Sequence, residues 1–416
     1  MQSREFDVVV WGASGFTGAL VAEYLLRRYG VGQSLRWALA GRNSTKLEQL
    51  REQLLAIDAE AAALPIIMAD SADEAALLEM VQRTRVVCTT VGPYALYGSA
   101  LVAACADTGT HYCDLTGEVH WMRQMIDQHH DRARETGARI VHTCGFDSIP
   151  SDLGVYFMQR EANAAFGAPS PHVKARVAGF KGGFSGGTAA SMMNLVAEAA
   201  ADAEVRRLLA DPYGLNPRDG RRGPAQPDRN APAFDSDFDQ WTAPFVMAAI
   251  NTRVVRRSNA LLHGAYGEQF VYDESMLTGS GAAGWLKAAG AAAGQGAVTL
   301  AGVVAPLRGL LGRALPAPGE GPSKEGRENG FFEIRFFAEA PEGAAAGAAG
   351  LFGRVTGDRD PGYGSTCKML GQAALCLAHD DLPTGGGIWT PASAMGDALL
   401  ERLQKNAGLT FEIEAR

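Results

Sequence analysis

The chain has 416 residues, 47% of them hydrophobic, which suffices for roughly two to three domains with buried cores and excludes a disordered polypeptide. With 38 Lys and Arg against 46 Asp and Glu the formal net charge is -8, so the overall field repels phosphate backbones and argues against a nucleic-acid partner. Six cysteines (Cys88, Cys105, Cys113, Cys144, Cys367, Cys376) show no CxxC pair and no spacing shared with histidines, which speaks against a metal site or a disulfide framework and for a reducing compartment.

The opening Met1 to Asp7 carries no long apolar run of the secretory kind, so the expected location is cytoplasmic. From Phe6 to Cys144, strand-length apolar runs alternate with helical periodicity, the pattern of parallel βαβ units. Six strands are expected, near 6–11, 35–40, 64–69, 85–91, 111–114 and 138–144, and right-handed crossovers favour the order 3-2-1-4-5-6. Thr45 with Glu48 and Ser71 with Glu74 have capping-box spacing, while Gly109 and Gly137 stand where helices end. The fold class is therefore α/β, a doubly wound Rossmann domain over 1–150 followed by a second, α+β domain over 151–385 and a C-terminal helix and strand over 386–416. Within the second domain, a helix is expected from Thr188 to about Leu209. Residues 211–239, rich in Pro, Gly, Asp and Arg, read as a long surface loop or lid. The stretch from Ala288 to Leu307 has no charge and is long enough to span a membrane, but Ala and Gly dominate it, so a buried or surface-lying helix is expected instead.

The strongest local signal is Gly12-Ala13-Ser14-Gly15-Phe16-Thr17-Gly18, placed directly after the first strand and opening a helix. Glycines there permit a tight turn and let backbone amides approach a pyrophosphate at a helix N-terminus. Where the second strand ends, an NAD enzyme would usually present an acidic residue to the ribose; Arg42 stands there instead, followed by Asn43. A guanidinium suits the 2′-phosphate of NADP(H), which is therefore the expected cofactor, a solvated loop arginine being the plainer alternative. Asp70, after the third strand, reads equally as an adenine contact or an acidic helix start. Val91, Gly92 and Pro93 end the fourth strand, at the crevice where the nicotinamide lies, and Tyr94 or Tyr97 follows as a substrate-facing group or as a structural tyrosine.

These stretches, with Asp114 to Glu118 (DLTGE), Gly145 to Gly154 (GFDSIPSDLG), Ser185 to Ser191 (SGGTAAS), Asp360 to Leu370 (DPGYGSTCKML) and Gly386 to Leu399 (GGIWTPASAMGDAL), resemble the saccharopine dehydrogenase-like oxidoreductases, in the branch that includes the mycobacterial trans-acting enoyl reductases. The likeness runs nearly end to end. It implies a Rossmann domain, a second domain with a mixed sheet, and a C-terminal helix near 392–406 that packs back on the first domain. It also implies hydride transfer to an unsaturated or carbonyl-bearing lipid or polyketide-like acyl substrate.

An amino-dicarboxylate substrate would call for several cations in the second domain, where Ala175 to Asn194 and its edge offer only Lys174, Arg176 and Lys181. Hydride transfer usually needs a group that polarises or protonates the substrate. The candidates are Tyr94, Tyr97, Asp147 and Lys181, with Ser148 beside them, although Asp147 serves equally as a turn cap before Pro150. Two further readings stay open: a noncatalytic NADPH-binding or membrane-peripheral protein that retains the fold, and an amino-acid dehydrogenase of the saccharopine type. The expected partners are the small-molecule or acyl-lipid substrate, at most a peripheral membrane contact, and a second copy in a homodimer.

Overall fold

The computed structural model describes residues 4–415 apart from 33, 184–185, 219, 221, 304–320 and 346–348, and apart from the side chains of 186–190 and 302–303. Two seven-stranded sheets organise the chain. The first is entirely parallel and contains β1 (Phe6–Trp11), β2 (Trp37–Gly41), β3 (Ile66–Met68), β4 (Thr84–Thr89), β5 (His111–Cys113), β6 (Arg139–Val141) and β13 (Gly387–Trp389). Its order is β13-β6-β5-β4-β1-β2-β3, the expected 3-2-1-4-5-6 with one strand added beside β6.

Every residue of β1 and β2 is buried, because helices cover both faces of the sheet and leave no polar side to alternate with. Along β1 the side chains still divide by face. Val8 and Val10 join the core shared with helices 16–29 and 366–379, and Val9 and Trp11 join the opposite core under helices 74–83, 99–108 and 119–136. The helix starts differ from expectation. Asn43 and Asp73, not Thr45 and Ser71, are the N-caps, accepting from the amides of Lys46 and Ala76. Their short side chains reach the third amide onward without a partner glutamate. Gly109 and Gly137 do close their helices in the left-handed conformation, at φ of 70° and 84°.

The second sheet runs β14-β12-β11-β7-β10-β9-β8, built from β7 (His172–Lys181), β8 (Ala233–Asp235), β9 (Gln240–Ala243), β10 (Val271–Gly279), β11 (Phe331–Glu339), β12 (Gly350–Gly357) and β14 (Leu409–Glu414). Its β7 and β10 are parallel and the other pairs antiparallel. Helix Ile149–Phe166 packs on one face, close enough that a Cβ on Gly154 would lie 2.4 Å from the Phe336 ring.

Two expectations are corrected here. The helical run 188–209 is two helices, Gly186–Ala201 and Ala203–Ala210, divided where the Asp202 carboxylate takes the Glu204 amide and caps a new start. The segment from 386 packs back on the first domain: β13 joins the first sheet, helix Pro391–Arg402 touches β6, and Asn406 accepts from Tyr24 and Arg28 of helix 16–29, while helix Thr366–His379, buried almost throughout, adds a further cover over β1, β4 and β5.

Residues 211–239, read as a loop or lid, are a fastened strap ending in β8. Three buried arginines of helix Ala248–Leu261 hold it: Arg253 pairs with Asp228, Arg256 donates to the Pro212 carbonyl and to Gln226, and Arg257 donates to the Leu215 carbonyl. Buried guanidiniums demand acceptors, and the irregular backbone of the strap supplies them. The uncharged stretch forms most of helix Gly281–Val303, with Trp285, Leu286 and Leu300 exposed. Its residues 304–307 lie outside the described residues. Among the described residues no helix is long and apolar enough to cross a membrane.

Candidate active site

The turn after β1 is shaped by close approach. Gly12 has φ +84°, and a Cβ there would meet the Val91 side chain at 2.6 Å; a Cβ on Gly18 would lie 2.2 Å from the Gly12 carbonyl. These two glycines let the turn tighten and let helix Phe16–Tyr29 seat directly above it. Gly15, the N-cap of that helix, offers no side-chain acceptor, and no acidic residue occupies the first turn. The first amides of the helix, from Phe16 and Thr17 onward, are therefore left for an anion. Ala13 is fully buried, whereas Ser14 and Gly15 face the cleft. The Phe16 ring meets Tyr363 edge-on at 5.1 Å and lies 5.3 Å beneath the Arg327 guanidinium, so residues from beyond the second sheet's third strand flank the anion site.

A cleft of about 310 Å³ crosses the carboxyl ends of β1, β2 and β4. Arg42 and Ser71 stand at one end, the glycine turn in the middle, and Val91, Gly92 and Tyr97 at the other. Arg42 is exposed and has no ion-pair partner among the described residues, and no carboxylate occupies the end of β2. A cradle that any Cβ would fill, open helix amides and an unpaired guanidinium fit a dinucleotide carrying a 2′-phosphate. Asn43 is committed to its helix as N-cap. Asp70 likewise turns on itself, accepting from the Ala72 amide at 3.0 Å rather than reaching into the cleft. Pro93 sits half-buried behind Gly92.

The two tyrosines separate. Tyr94 is 5% exposed and stacks on Trp121 at 5.6 Å; its hydroxyl donates to the Thr89 carbonyl at 3.4 Å and accepts from the Leu115 amide at 3.2 Å. That hydroxyl has nothing left to offer a substrate, which removes Tyr94 as a proton donor. Tyr97, one turn on, is 40% exposed and lines the cleft.

Asp147 follows β6, where burial first and then the charge of Asp114 push its carboxyl up to about 7. It also bears electrostatically on Tyr94. Lys181 ends β7 exposed, in register with Phe331 and away from the cleft-lining residues. Ser148 is buried and donates to Asn251 at 2.9 Å, a structural bond.

Sequence reasoning did not single out the polar network beneath the crevice. Asp114, fully buried, accepts from the Thr116 and Thr143 amides, the Tyr112 hydroxyl and the His142 ring at 2.7 to 3.1 Å. Asp114 and His142 stand 28 residues apart and meet because β5 and β6 are parallel neighbours. Nor are two of the three expected cations of the second sheet free. Arg176 is buried between Asp235 and Asp273, each at 2.7 Å, and Lys174 pairs with Asp237.

Glycine cradle, arginine and crevice on a doubly wound sheet, together with the chain's family match and relatives, define an NADP-dependent oxidoreductase of Rossmann type. The family model for the saccharopine dehydrogenase NADP binding domain matches residues 8–141. A Mycobacterium tuberculosis H37Rv protein named as a trans-acting enoyl reductase is 46% identical over 424 residues, covering 98% of this chain and 97% of its own. A Mycobacterium ulcerans trans-acting enoyl reductase is 40% identical over 414 residues, covering 96% of each. The chain belongs to this trans-acting enoyl reductase family. Saccharopine dehydrogenase (L-Glu forming) from Saccharomyces cerevisiae shares the fold, at a TM-score of 0.53 over 98% of this chain and 99% of that one, with 13% sequence identity.

Proposed function

We propose that the protein reduces the carbon–carbon double bond of an α,β-unsaturated acyl substrate, with NADPH as the reductant. The observation that carries this reading is the cleft itself, with Arg42 at one end, the glycine cradle in the middle and Tyr97 at the other end, Arg42 having no ion pair and Tyr97 no side-chain hydrogen bond among the described residues. The relatives' enoyl reductase names agree with it.

Gly12, Ala13, Ser14, Gly15, Phe16, Thr17 and Gly18 would hold the pyrophosphate, Arg42 the 2′-phosphate, and Val91, Gly92 and Pro93 the wall beside the nicotinamide. The bound cofactor supplies the hydride for the β-carbon. Tyr97 then stabilises the charge that develops on the acyl oxygen or delivers the proton that the α-carbon requires. Asp147, raised to about 7 mainly by burial, is the alternative donor, although it is not among the residues that line the cleft. Lys181, exposed on β7, has no such support. Neutralised Lys174 and Arg176 speak against an amino-dicarboxylate, which would need free cations. In the same proposal the protein is cytoplasmic with at most peripheral membrane contact, a reading supported by the exposed Trp285, Leu286 and Leu300.

The test is NADPH oxidation by the purified protein. Long-chain trans-2-enoyl thioesters are expected to accelerate it, whereas glutamate supplied with an aldehyde partner is not, nor is saccharopine expected to reduce NADP in the opposite direction. Turnover confined to the amino-acid substrates would establish the dehydrogenase reading, and NADPH binding with no turnover on any of them the noncatalytic one.

A further inference from the structure

Glu118 occupies the N-cap of helix Val119–Thr136, a position from which a carboxylate ordinarily serves its own helix, yet it makes no such bond. Its side chain reaches instead to the turn that follows the cleft wall. One oxygen accepts from the Tyr94 amide at 2.8 Å and the other from the Ala95 amide at 2.9 Å. The residue is 2% exposed, and burial raises its carboxyl above the ordinary range, opposed by the Ala95 and Tyr94 amides and by the Ser191 hydroxyl.

Ser191 belongs to helix Gly186–Ala201, and its Oγ stands where a Cβ on Gly92 would find it at 3.3 Å. The same helix is joined a second time, two turns on, where Glu198 meets the His120 ring at 2.5 Å. One carboxylate thus touches the wall of the cleft from behind and the helix that abuts it at Gly92.

We infer that Glu118 is a positioning residue that fixes the Gly92–Tyr97 wall and, through Ser191, couples it to helix 186–201. This rests on the cleft being the nicotinamide site. A carboxylate can accept from all three donors at once; a carboxamide presents an NH2 group to a backbone N–H and leaves one amide unsatisfied. In Glu118→Gln the wall therefore shifts while the glycine turn and Arg42, on other strands, stay in place. A displacement on the scale of one ångström is enough to take reacting atoms out of line.

The experiment compares wild type, Glu118→Gln, Ser191→Ala and the double variant, reading NADPH affinity, the emission enhancement of bound NADPH, and kcat on a long-chain trans-2-enoyl thioester. Glu118→Gln is expected to hold its NADPH Kd within about twofold while the emission enhancement is mostly lost and kcat falls about 10- to 100-fold. Ser191→Ala should show the same pattern at about threefold in kcat, the scale of one hydrogen bond. The double variant should be no worse than Glu118→Gln, because the two act through one contact. Unchanged emission in both single variants overturns the inference. So does a loss of NADPH affinity parallel to the loss of emission, or full additivity in the double variant. If Glu118→Gln does not fold, Ser191→Ala decides by its emission at unchanged Kd. A wild type that binds NADPH but reduces no enoyl thioester refutes the proposed reaction, and the emission measurement still decides for or against Glu118.

Discussion

The cofactor end of the first sheet and the strap across the second are held in opposite ways. At the first, shape comes from side chains that are missing: Gly12 and Gly18 let backbone touch backbone, and the contacts lie within seven residues or across adjacent parallel strands. At the second, shape comes from the longest side chains available. Arg253, Arg256 and Arg257 stand on one helix and reach into the strap, and Arg257 also donates to the Ile388 carbonyl 131 residues away, linking the strap to the added strand of the first sheet. The first region can bind an anion because its amides and its arginine are unspent. The second has spent its guanidiniums on the strap's own carboxylate and carbonyls. Function sits where polar groups are left over, and rigidity where they are consumed.

The largest expected effect follows from consuming one group less. Arg253→Ala removes a buried guanidinium and strands Asp228 and the Leu209 carbonyl. It should cost about 3 kcal/mol of stability in urea unfolding, within the range for breaking a buried pair. NADPH affinity of the folded fraction should be unchanged. A variant as stable as wild type would show that the strap is not what the arginines hold.

At the cofactor end, Tyr97→Phe is expected to lower turnover on an enoyl thioester about 100-fold with NADPH binding near normal, as for a proton donor. Asp147→Asn serves as the partner measurement. Full turnover by Tyr97→Phe together with collapse in Asp147→Asn would move the donor from the tyrosine to the carboxyl. Arg42→Ala comes next, weakening NADPH by about 1.5–3 kcal/mol, the range for charge-assisted contacts, and barely affecting NADH. Equal losses for the two cofactors would detach Arg42 from the 2′-phosphate.

The last effect is a slope. Burial pushes Asp147, Asp152 and Glu274 up to about 7, so the folded chain holds protons that the unfolded chain has released. Their contribution to stability is present below the ordinary carboxylate range and is lost as pH rises to about 7. The urea midpoint should therefore decline from pH 5 to pH 7 and then level, and Asp152→Asn should flatten that decline. A midpoint that climbs across the window would contradict the assignment.

Much of the first sheet was legible because its rules are local. Burial on both faces makes β1, apart from Asp7, and β2 nearly continuous apolar runs, and the expected strand centres hold, with ends shifted by up to a few residues, as at 35–40 against Trp37–Gly41. Helix caps were less legible. Thr45 and Ser71 have the right spacing, but Asn43 and Asp73 lie within two residues and accept better. Tyr94 and Tyr97 are indistinguishable by spacing from a strand end. Trp121, on another helix, draws one of them into the core.

By itself the sequence determined the glycine cradle, the arginine in place of an acidic residue and the doubly wound order, since each follows from sterics, charge and periodicity within a few tens of residues. The tertiary structure decided which tyrosine meets the cleft, where Glu118 spends its oxygens, that Asp114 and His142 pair, and that the stretch read as a surface loop or lid is fastened down. All of these are cases of buried polar groups finding partners, and a partner is chosen by proximity in space, which sequence separation does not encode.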